Sequence, residues 1–353
     1  MAFGSAPRIG LDIGTSAVRA AYVGGGRGGR SLMQFGQVAL PAGAVDGGEI
    51  RDAGAVAEAV SQLWKRAKFK SKQAVVGVAN QRVVVRQVDI PYMEEKELRA
   101  SLKFQVAEHI PMPIEEAQLD FQVMGDYTTD NNEHMMRVLL VAASTDMVES
   151  YLSTVSEAGL QPAAVDLTPF AVARAVSPVA RGEHGVAGSE AVVDIGAGVT
   201  NIIIHHNGEP QFVRILVVGG DEVTNALAEE LGVTFEEAEA MKMDLGRGMS
   251  STGADKALAR RVDDLVREIQ GSIDYYLSQE DSEPVSSVVV TGGGSLTPGL
   301  LQRLEATLGT HVRMATPLSE MNVSKSGLTH EQAAQVEPVA AAAVGLAMGG
   351  TSK

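Results

Sequence analysis

Two short stretches, 182 positions apart, combine an aspartate with glycines and hydroxyl side chains in a pattern suited to binding phosphate. The first is Gly10-Leu-Asp-Ile-Gly-Thr-Ser16, and the second is Val193-Asp-Ile-Gly-Ala-Gly198 followed by Val199, Thr200 and Asn201. An aspartate at the tip of a glycine-rich hairpin is poorly placed for a core and well placed to hold a hydrated magnesium ion. Asp12 and Asp194 are therefore the candidate metal residues. Gly14, Thr15 and Ser16 on one side, and Gly196, Gly198 and Thr200 with Ala197 and Asn201 beside them on the other, are the candidate phosphate donors. Backbone amides and hydroxyls stabilise anionic oxygens without a bulky cation. Taken singly, each Asp-Ile-Gly is as well explained by a turn with a capping aspartate; the pair carries the signal.

A third element is Val288-Val-Val-Thr-Gly-Gly-Gly-Ser-Leu-Thr-Pro-Gly-Leu300, a β-branched strand, a triple-glycine turn and a helix start. Gly292, Gly293 and Gly294, with Leu296, offer a backbone against which a flat base can lie. Ahead of it, Gly219 and Gly220 open one helix, and Glu239 and Lys242 sit three apart on another. That spacing places both on one helical face, where they could hydrogen-bond a ribose or base edge, or form a solvated ion pair.

The elements that must position these residues read as an α/β chain. A motif recurring at half the chain length predicts two related domains, each opening with a β-hairpin, facing each other across a cleft; chance similarity of two apolar hairpins is the alternative. Apolar faces predict helices from Ala55 through Trp64, around Val148, Leu152 and Val155 up to Gly159, and from Lys256 to Ser278. Between them lies a segment of different texture. It contains a strand over Val84–Pro91, a helix over Glu94–Glu108, a break at Ile110–Ile114, and strands over Leu119–Met124 and Met136–Ala143.

Composition narrows the function classes. With 353 residues, 45% hydrophobic and 21% charged, the chain suits an ordinary globular protein with more than one core. The absence of cysteine removes disulfides, thiolate metal sites and thiol catalysis. A net charge of −15 argues against nucleic acid as a partner. Residues 1–30 hold no continuous apolar run of secretory type, and the late run from Pro338 to Met348 falls far short of the roughly 20 residues a bilayer crossing requires. No Gly-Lys-Ser/Thr occurs, and His330-Glu-Gln-Ala-Ala334 lacks the second histidine of a zinc motif. His205 and His206 are neighbours in a strand-like run, point to opposite faces, and are structural.

The arrangement resembles the actin-like ATPase superfamily over nearly the whole chain. Residues 9–16 resemble its first phosphate motif, 192–202 its second, 288–300 its adenosine motif and Glu337–Ala347 its second connecting motif; Asp166 to Ala173 sit where the first connecting motif belongs. The resemblance implies an actin-like ATPase fold, ATP and Mg2+ as cofactors, and magnesium held through water by Asp12 and Asp194. It also implies Gly219 and Gly220 along the ribose and phosphate, and Glu239 and Lys242 flanking the adenosine. Asp166 would orient the attacking water. It is shorter than the glutamine or glutamate of active relatives, which implies slow or partner-dependent hydrolysis.

Within the superfamily, three stretches resemble the insert of the PilM family: Val88-Asp-Ile-Pro-Tyr-Met-Glu-Glu-Lys-Glu-Leu98, Phe104-Gln-Val-Ala-Glu-His-Ile-Pro-Met-Pro-Ile-Glu-Glu116 and Leu119-Asp-Phe-Gln-Val123. FtsA also carries an insert here but ordinarily ends in a basic amphipathic helix, which Met348-Gly-Gly-Thr-Ser-Lys353 does not resemble. The expected division is residues 1–83, 166–187 and 336–353 in the first domain, 84–165 in the insert, and 188–335 in the second domain with 216–270 its upper helical part. The resemblance implies a cytoplasmic scaffold, peripheral at the inner face of the inner membrane, in the type IV pilus platform that serves twitching motility. It implies binding of the cytoplasmic N-terminal peptide of PilN in a groove involving the insert and the first domain; the strand Val83–Val88 and the helix Leu98–Val106 are the candidate borders. Other platform and motor proteins, and a homo-oligomer, stay open as partners. Lys65, Arg66, Lys68, Lys70 and Lys72 could face anionic lipid or the platform, or form a solvated helix end. An FtsA-like filament and a small-molecule kinase are the competing readings.

Overall fold

Each aspartate motif folds as an antiparallel hairpin of apolar strands, β-branched mainly in the second, and there the turn needs glycine, since a Cβ on Gly196 would stand 2.7 Å from the Val199 carbonyl oxygen. The computed structural model describes residues 8–26, 29–178, 188–246, 254–279 and 282–349; the expected boundaries that fall at 1–7, 179–187 and 350–353, and the residues ending the chain, lie outside these. The first domain comprises β1 (Ile9–Ile13), β2 (Ala17–Gly26), β3 (Gly29–Ala39), a small hairpin of β4 (Val45–Asp46) and β5 (Glu49–Ile50), α1 (Ala53–Ala67) and β6 (Gln73–Val78). The insert follows with β7 (Val83–Pro91), α2 (Glu95–Val106), β8 (Ala117–Thr128) and β9 (His134–Ser144). The chain returns to the first domain through α3 (Thr145–Glu157), β10 (Gln161–Leu167) and α4 (Thr168–Val176).

The second domain repeats the plan with β11 (Ser189–Ile195), β12 (Thr200–His206) and β13 (Glu209–Leu216), then α5 (Gly220–Leu231), α6 (Phe235–Gly246) and α7 (Ala254–Leu277). It continues with β14 (Val285–Thr291), α8 (Leu300–Leu308) and β15 (His311–Met314), and the chain closes through α9 (His330–Val336) and α10 (Ala341–Gly349). The first sheet has the order β3-β2-β1-β6-β10 and the second β13-β12-β11-β14-β15, with the same antiparallel and parallel pairings in the same places. The internal repeat suggested by two short motifs is thus a repeat of topology. A third sheet, β7-β9-β8, with α2 across it, is the insert.

Separate cores hold these parts. Leu63, Trp64, Tyr151 and Val155 pack on the first sheet, and Leu227, Val262, Ile269 and Leu300 on the second. Between the sheets lie α4 and α10, whose alanines allow two helices to fit one interlayer. α10 is buried all round and so has no polar face. Gly345 and Gly10 set its closest approaches: a Cβ at Gly345 would stand 1.7 Å from the Ala171 carbonyl oxygen, and one at Gly10 2.1 Å from that of Ala343.

Two expectations differ from the structure. The insert sheet ends at Ser144, not 165, because α3 buries Met147, Tyr151 and Val155 against the first-domain core and β10 pairs in parallel with β6. The second connecting motif, Glu337–Ala347, a run of small residues expected as one helix, is divided into a 3-10 turn at Glu337–Val339 and α10, the Pro338 carbonyl accepting from the Gly292 N–H instead of continuing a helix.

Candidate functional site

The two hairpin turns are built alike. The Gly14 N–H donates to the Ala17 carbonyl (3.1 Å) and the Gly196 N–H to that of Val199 (2.8 Å). Their tips meet: a Cβ on Gly198 would fall 2.9 Å from Thr15 Oγ1. Asp12 and Asp194 occupy equivalent strand positions, and the residue seven further on faces each across its hairpin. Asp12 pairs in register with Arg19, and Asp194 with Asn201. Arg19 Nη1 lies 3.6 Å from Asp12 Oδ2, and Asn201 Nδ2 donates to Asp194 Oδ2 at 3.0 Å.

Both carboxylates line one cavity of about 440 Å³ between the domains. Burial raises the Asp12 carboxyl above the usual range against the opposing pull of Arg19. Burial, aided by the charge of Asp12, pushes Asp194 up to about 6 despite the hydrogen bond from Asn201. The Tyr151 hydroxyl, also on the cavity, is raised by burial and then by Asp12 and Glu49. This negative, enclosed space suits a divalent cation. Two orphaned atoms fit a cation together with its anionic ligand: Asn201 Oδ1 is a buried acceptor without a partner, suited to the cation, and Arg19 Nε a buried donor without one, suited to an anion. Asp12, Asp194 and Asn201 offer oxygens to a hydrated magnesium, and Arg19 offers charge to a phosphate.

Arg19 was not among the expected residues, since that reading ended the motif at Ser16. Its signal was present: an alternating strand carries Arg19 to the register position opposite Asp12, as it carries Asn201 opposite Asp194.

The rest of the cavity wall sorts the expected nucleotide residues. Gly14, Thr15, Ser16, Gly196, Ala197, Asn201, Gly220, Glu239, Lys242, Gly292, Gly293, Gly294 and Leu296 all line it. Gly292 has φ +87°, and a Cβ there would fall 2.2 Å from the Ile195 carbonyl oxygen, so glycine is what brings the third loop against the second hairpin. Lys242 is nearly buried, paired with Glu239 at 2.6 Å and donating to Thr224 Oγ1 (2.7 Å) and the Gly220 carbonyl (3.1 Å). These three bonds use all three ammonium protons. Lys242 therefore braces α6 on the first turn of α5, and Glu239 is the more exposed of the two. Phe235, Met243 and Leu296 are exposed apolar side chains on the same wall, suited to holding a flat base, and the first two escaped the motif reading.

Four expected residues lie elsewhere. Asp166 is outside the cavity wall. Its Oδ2 accepts from Arg174 Nη1 and Nη2, both at 3.0 Å, and Arg174 also donates to the Gly345 carbonyl. It clamps α4 to α10, and Thr168 is the polar residue that this connection turns into the cavity. The Thr200 hydroxyl is buried and donates to the Val218 carbonyl (2.8 Å). Gly219 lets α5 sit on the second hairpin, where a Cβ would stand 2.3 Å from the Ala197 carbonyl oxygen. Gly198 meets Thr15 and is likewise off the wall.

A wider groove of about 1220 Å³ runs between β7 of the insert and β13 with α7 of the second domain. β7 and β13 are both edge strands, and Gln87 Nε2 closes one end by donating to the Pro210 carbonyl and to Gln211 Oε1, both at 3.0 Å. Arg86 and Arg214 line it, exposed and without a hydrogen-bond or ion-pair partner among the described residues. Of the residues expected to border a groove between the insert and the first domain, Val83 to Gln87 line this one, whose other wall belongs to the second domain. Leu98, Leu102 and Val106 do not border it, because α2 spends that face on the core of the insert.

Residues 10–351 match the family described as Type IV pilus assembly protein PilM. The chain belongs to that family. The solved PilM–PilN type IV pilus biogenesis complex contains a chain 27% identical, with a TM-score of 0.86 over 99% of this chain and 100% of that one. The ethanolamine utilization protein EutJ of Carboxydothermus hydrogenoformans, 16% identical over 98% of this chain and 90% of its own, has a TM-score of 0.57 and shares the fold. The cell division protein FtsA of Bacillus subtilis is 24% identical over 350 residues, 88% of this chain and 78% of FtsA. The fold is that of the actin-like ATPases, with an insert of the type found in this family.

Proposed function

We propose that the protein is a nucleotide-gated scaffold of the type IV pilus assembly platform, with ATP and magnesium between the hairpins and the cytoplasmic N-terminal peptide of PilN in the β7–β13 groove. The observation that carries this is the sharing of one cavity by Asp12 and Asp194, each at the same position of a repeated hairpin. Arg19 holds phosphate oxygens, the Gly14–Ser16 and Gly196–Ala197 turns surround them, and the Phe235, Met243 and Leu296 wall takes the base. Magnesium, when bound, neutralises phosphate oxygens and fixes the triphosphate conformation. Thr168 can position a water but is no base, and Asp166 is committed to Arg174, so turnover is slow or partner-dependent.

Cavity and groove share a wall. Gly220 and Asp221 face the cavity, while the flanking Leu216–Gly219, Glu222 and Val223 face the groove. Closure on a nucleotide that shifts the start of α5 therefore moves one side of the peptide site. An extended segment would lie along the free strand edges, with its apolar residues against Val85 and Phe212.

Fluorescence anisotropy of a labelled PilN N-terminal peptide tests this reading. ATP with magnesium should change the peptide affinity, and Val85→Glu should weaken it by about tenfold or more while ATP affinity, read by calorimetry, stays the same. Peptide affinity indifferent to nucleotide removes the gating, and an unaffected Val85→Glu removes the groove.

A further inference from the structure

The end of the first domain opposite the cavity carries a cluster of cations on an otherwise acidic chain. β1, β6 and β10 run parallel, and their carboxyl ends deliver Asp12, Gly77 and, directly after β10, Thr168 to the cavity wall. Their amino ends lie about 15–20 Å away at roughly 3.3 Å per residue. There α1 stops at a left-handed Lys68 (φ 56°), and the chain turns into β6. Lys65, Arg66, Lys68, Lys70 and Lys72 are all exposed, and none has a hydrogen-bond or ion-pair partner for its side chain among the described residues.

Their display is built into the core. Phe69 and Ser71, which alternate with the last three cations, are buried. Phe69 packs on Trp64 with ring centroids 5.1 Å apart, and Trp64 Nε1 donates to the Ser71 carbonyl at 2.8 Å. Anchored at every second residue, the segment holds Lys68, Lys70 and Lys72 outward. Lys65 and Arg66 complement the carboxyl end of α1, as cations there commonly do. Lys68, Lys70 and Lys72 lie past the helix and have no such role. Arg8, just before β1, and Arg30, near the β2–β3 turn, come to the same end of the sheet, and Glu157, at the end of α3, is an acid brought there.

We propose that this comb of cations is a docking surface for the anionic headgroups of a lipid bilayer. Charge complementarity selects an anionic partner. With Trp64 and Phe69 turned inward, the comb itself presents no ring for base stacking, which disfavours a nucleic acid. The net charge of −15 does not cancel the attraction, because screening over about 8 Å at physiological salt isolates the patch from acids on the far side of the molecule. Docked this way, the protein holds its nucleotide cavity away from the bilayer and open to solvent. The proposal stands apart from the ATP reading, which concerns the other end of the domain, and from the peptide reading, which concerns the insert and the second domain.

Co-sedimentation of the full chain with vesicles tests it. Vesicles of phosphatidylcholine with a quarter phosphatidylglycerol should bind the protein at 50 mM salt, pure phosphatidylcholine should not, and 500 mM salt should release it. The triple variant Lys68→Glu, Lys70→Glu, Lys72→Glu should bind the anionic vesicles about a hundredfold more weakly, with unchanged circular dichroism and ATP affinity. Failure to bind anionic vesicles, equal binding to neutral ones, or full binding by the folded triple variant overturns the proposal.

Discussion

Asp194→Asn should make the ligand-free protein more stable and abolish magnesium-dependent capture of ATP. The Asp194 carboxyl titrates near 6 in the fold against 3.8 as the ordinary value, because burial and Asp12 oppose its charge. A carboxyl with a raised pKa costs stability wherever it is ionised, so the penalty is complete above about pH 6 and is relieved as the pH falls toward 4. At neutral pH its removal is worth about 3 kcal/mol, or a few degrees in melting temperature. Thermal melts at pH 7 and pH 5 check the sign. The wild type should gain from Asp194 on acidification, and the asparagine variant should lack that gain while starting higher at pH 7. A variant less stable than wild type at pH 7 would mean that Asp194 is a structural cap and not a strained site residue.

Gly345→Ala should collapse the junction of the two domains. Its Cβ would overlap the Ala171 carbonyl at 1.7 Å, and backbone cannot swing aside as a side chain can. The same crossing is pinned by Arg174, which bonds both Asp166 and the Gly345 carbonyl. Forcing α10 from α4 opens the interlayer and shifts Ala341 and Ala342, which line the cavity. We expect a loss of about 3 kcal/mol or more, seen as insoluble protein or a melting temperature lowered by roughly 4 °C or more with weakened ATP binding. Gly271→Ala on α7 is the control, since its Cβ would meet nothing within 4 Å. That variant should be as stable as wild type, or more so by about 0.5–1 kcal/mol. Equal behaviour of the two variants would show that the α4–α10 contact is not tight.

The two hairpins were legible in the sequence because each joins an Asp-Ile-Gly turn to apolar strands within a few residues, and the repeat was legible because that pattern occurs twice. What escaped depends on pairing across space. Arg19 sits one strand away from Asp12 and becomes a site residue only through strand register. Asp166 occupies the right segment, yet an arginine eight residues later on α4 captures it. Thr200 and Gly219 belong to the right motifs, but one satisfies a carbonyl and the other allows a close approach of backbones. α3 and β10 read as part of the insert because their return to the first sheet is a parallel pairing over long sequence distance. The apolar face of α2 was visible by periodicity, but periodicity does not say whether such a face meets a core or a partner.

A double-mutant cycle on Asp12→Asn and Asp194→Asn, read by calorimetry of ATP with and without magnesium, tests the shared site most directly. If the two carboxylates act on one cation, each single variant removes the magnesium dependence of ATP binding, and the double variant is little worse than either. Additive losses, or magnesium dependence that survives in either single variant, would contradict the convergence of the two hairpins on one nucleotide.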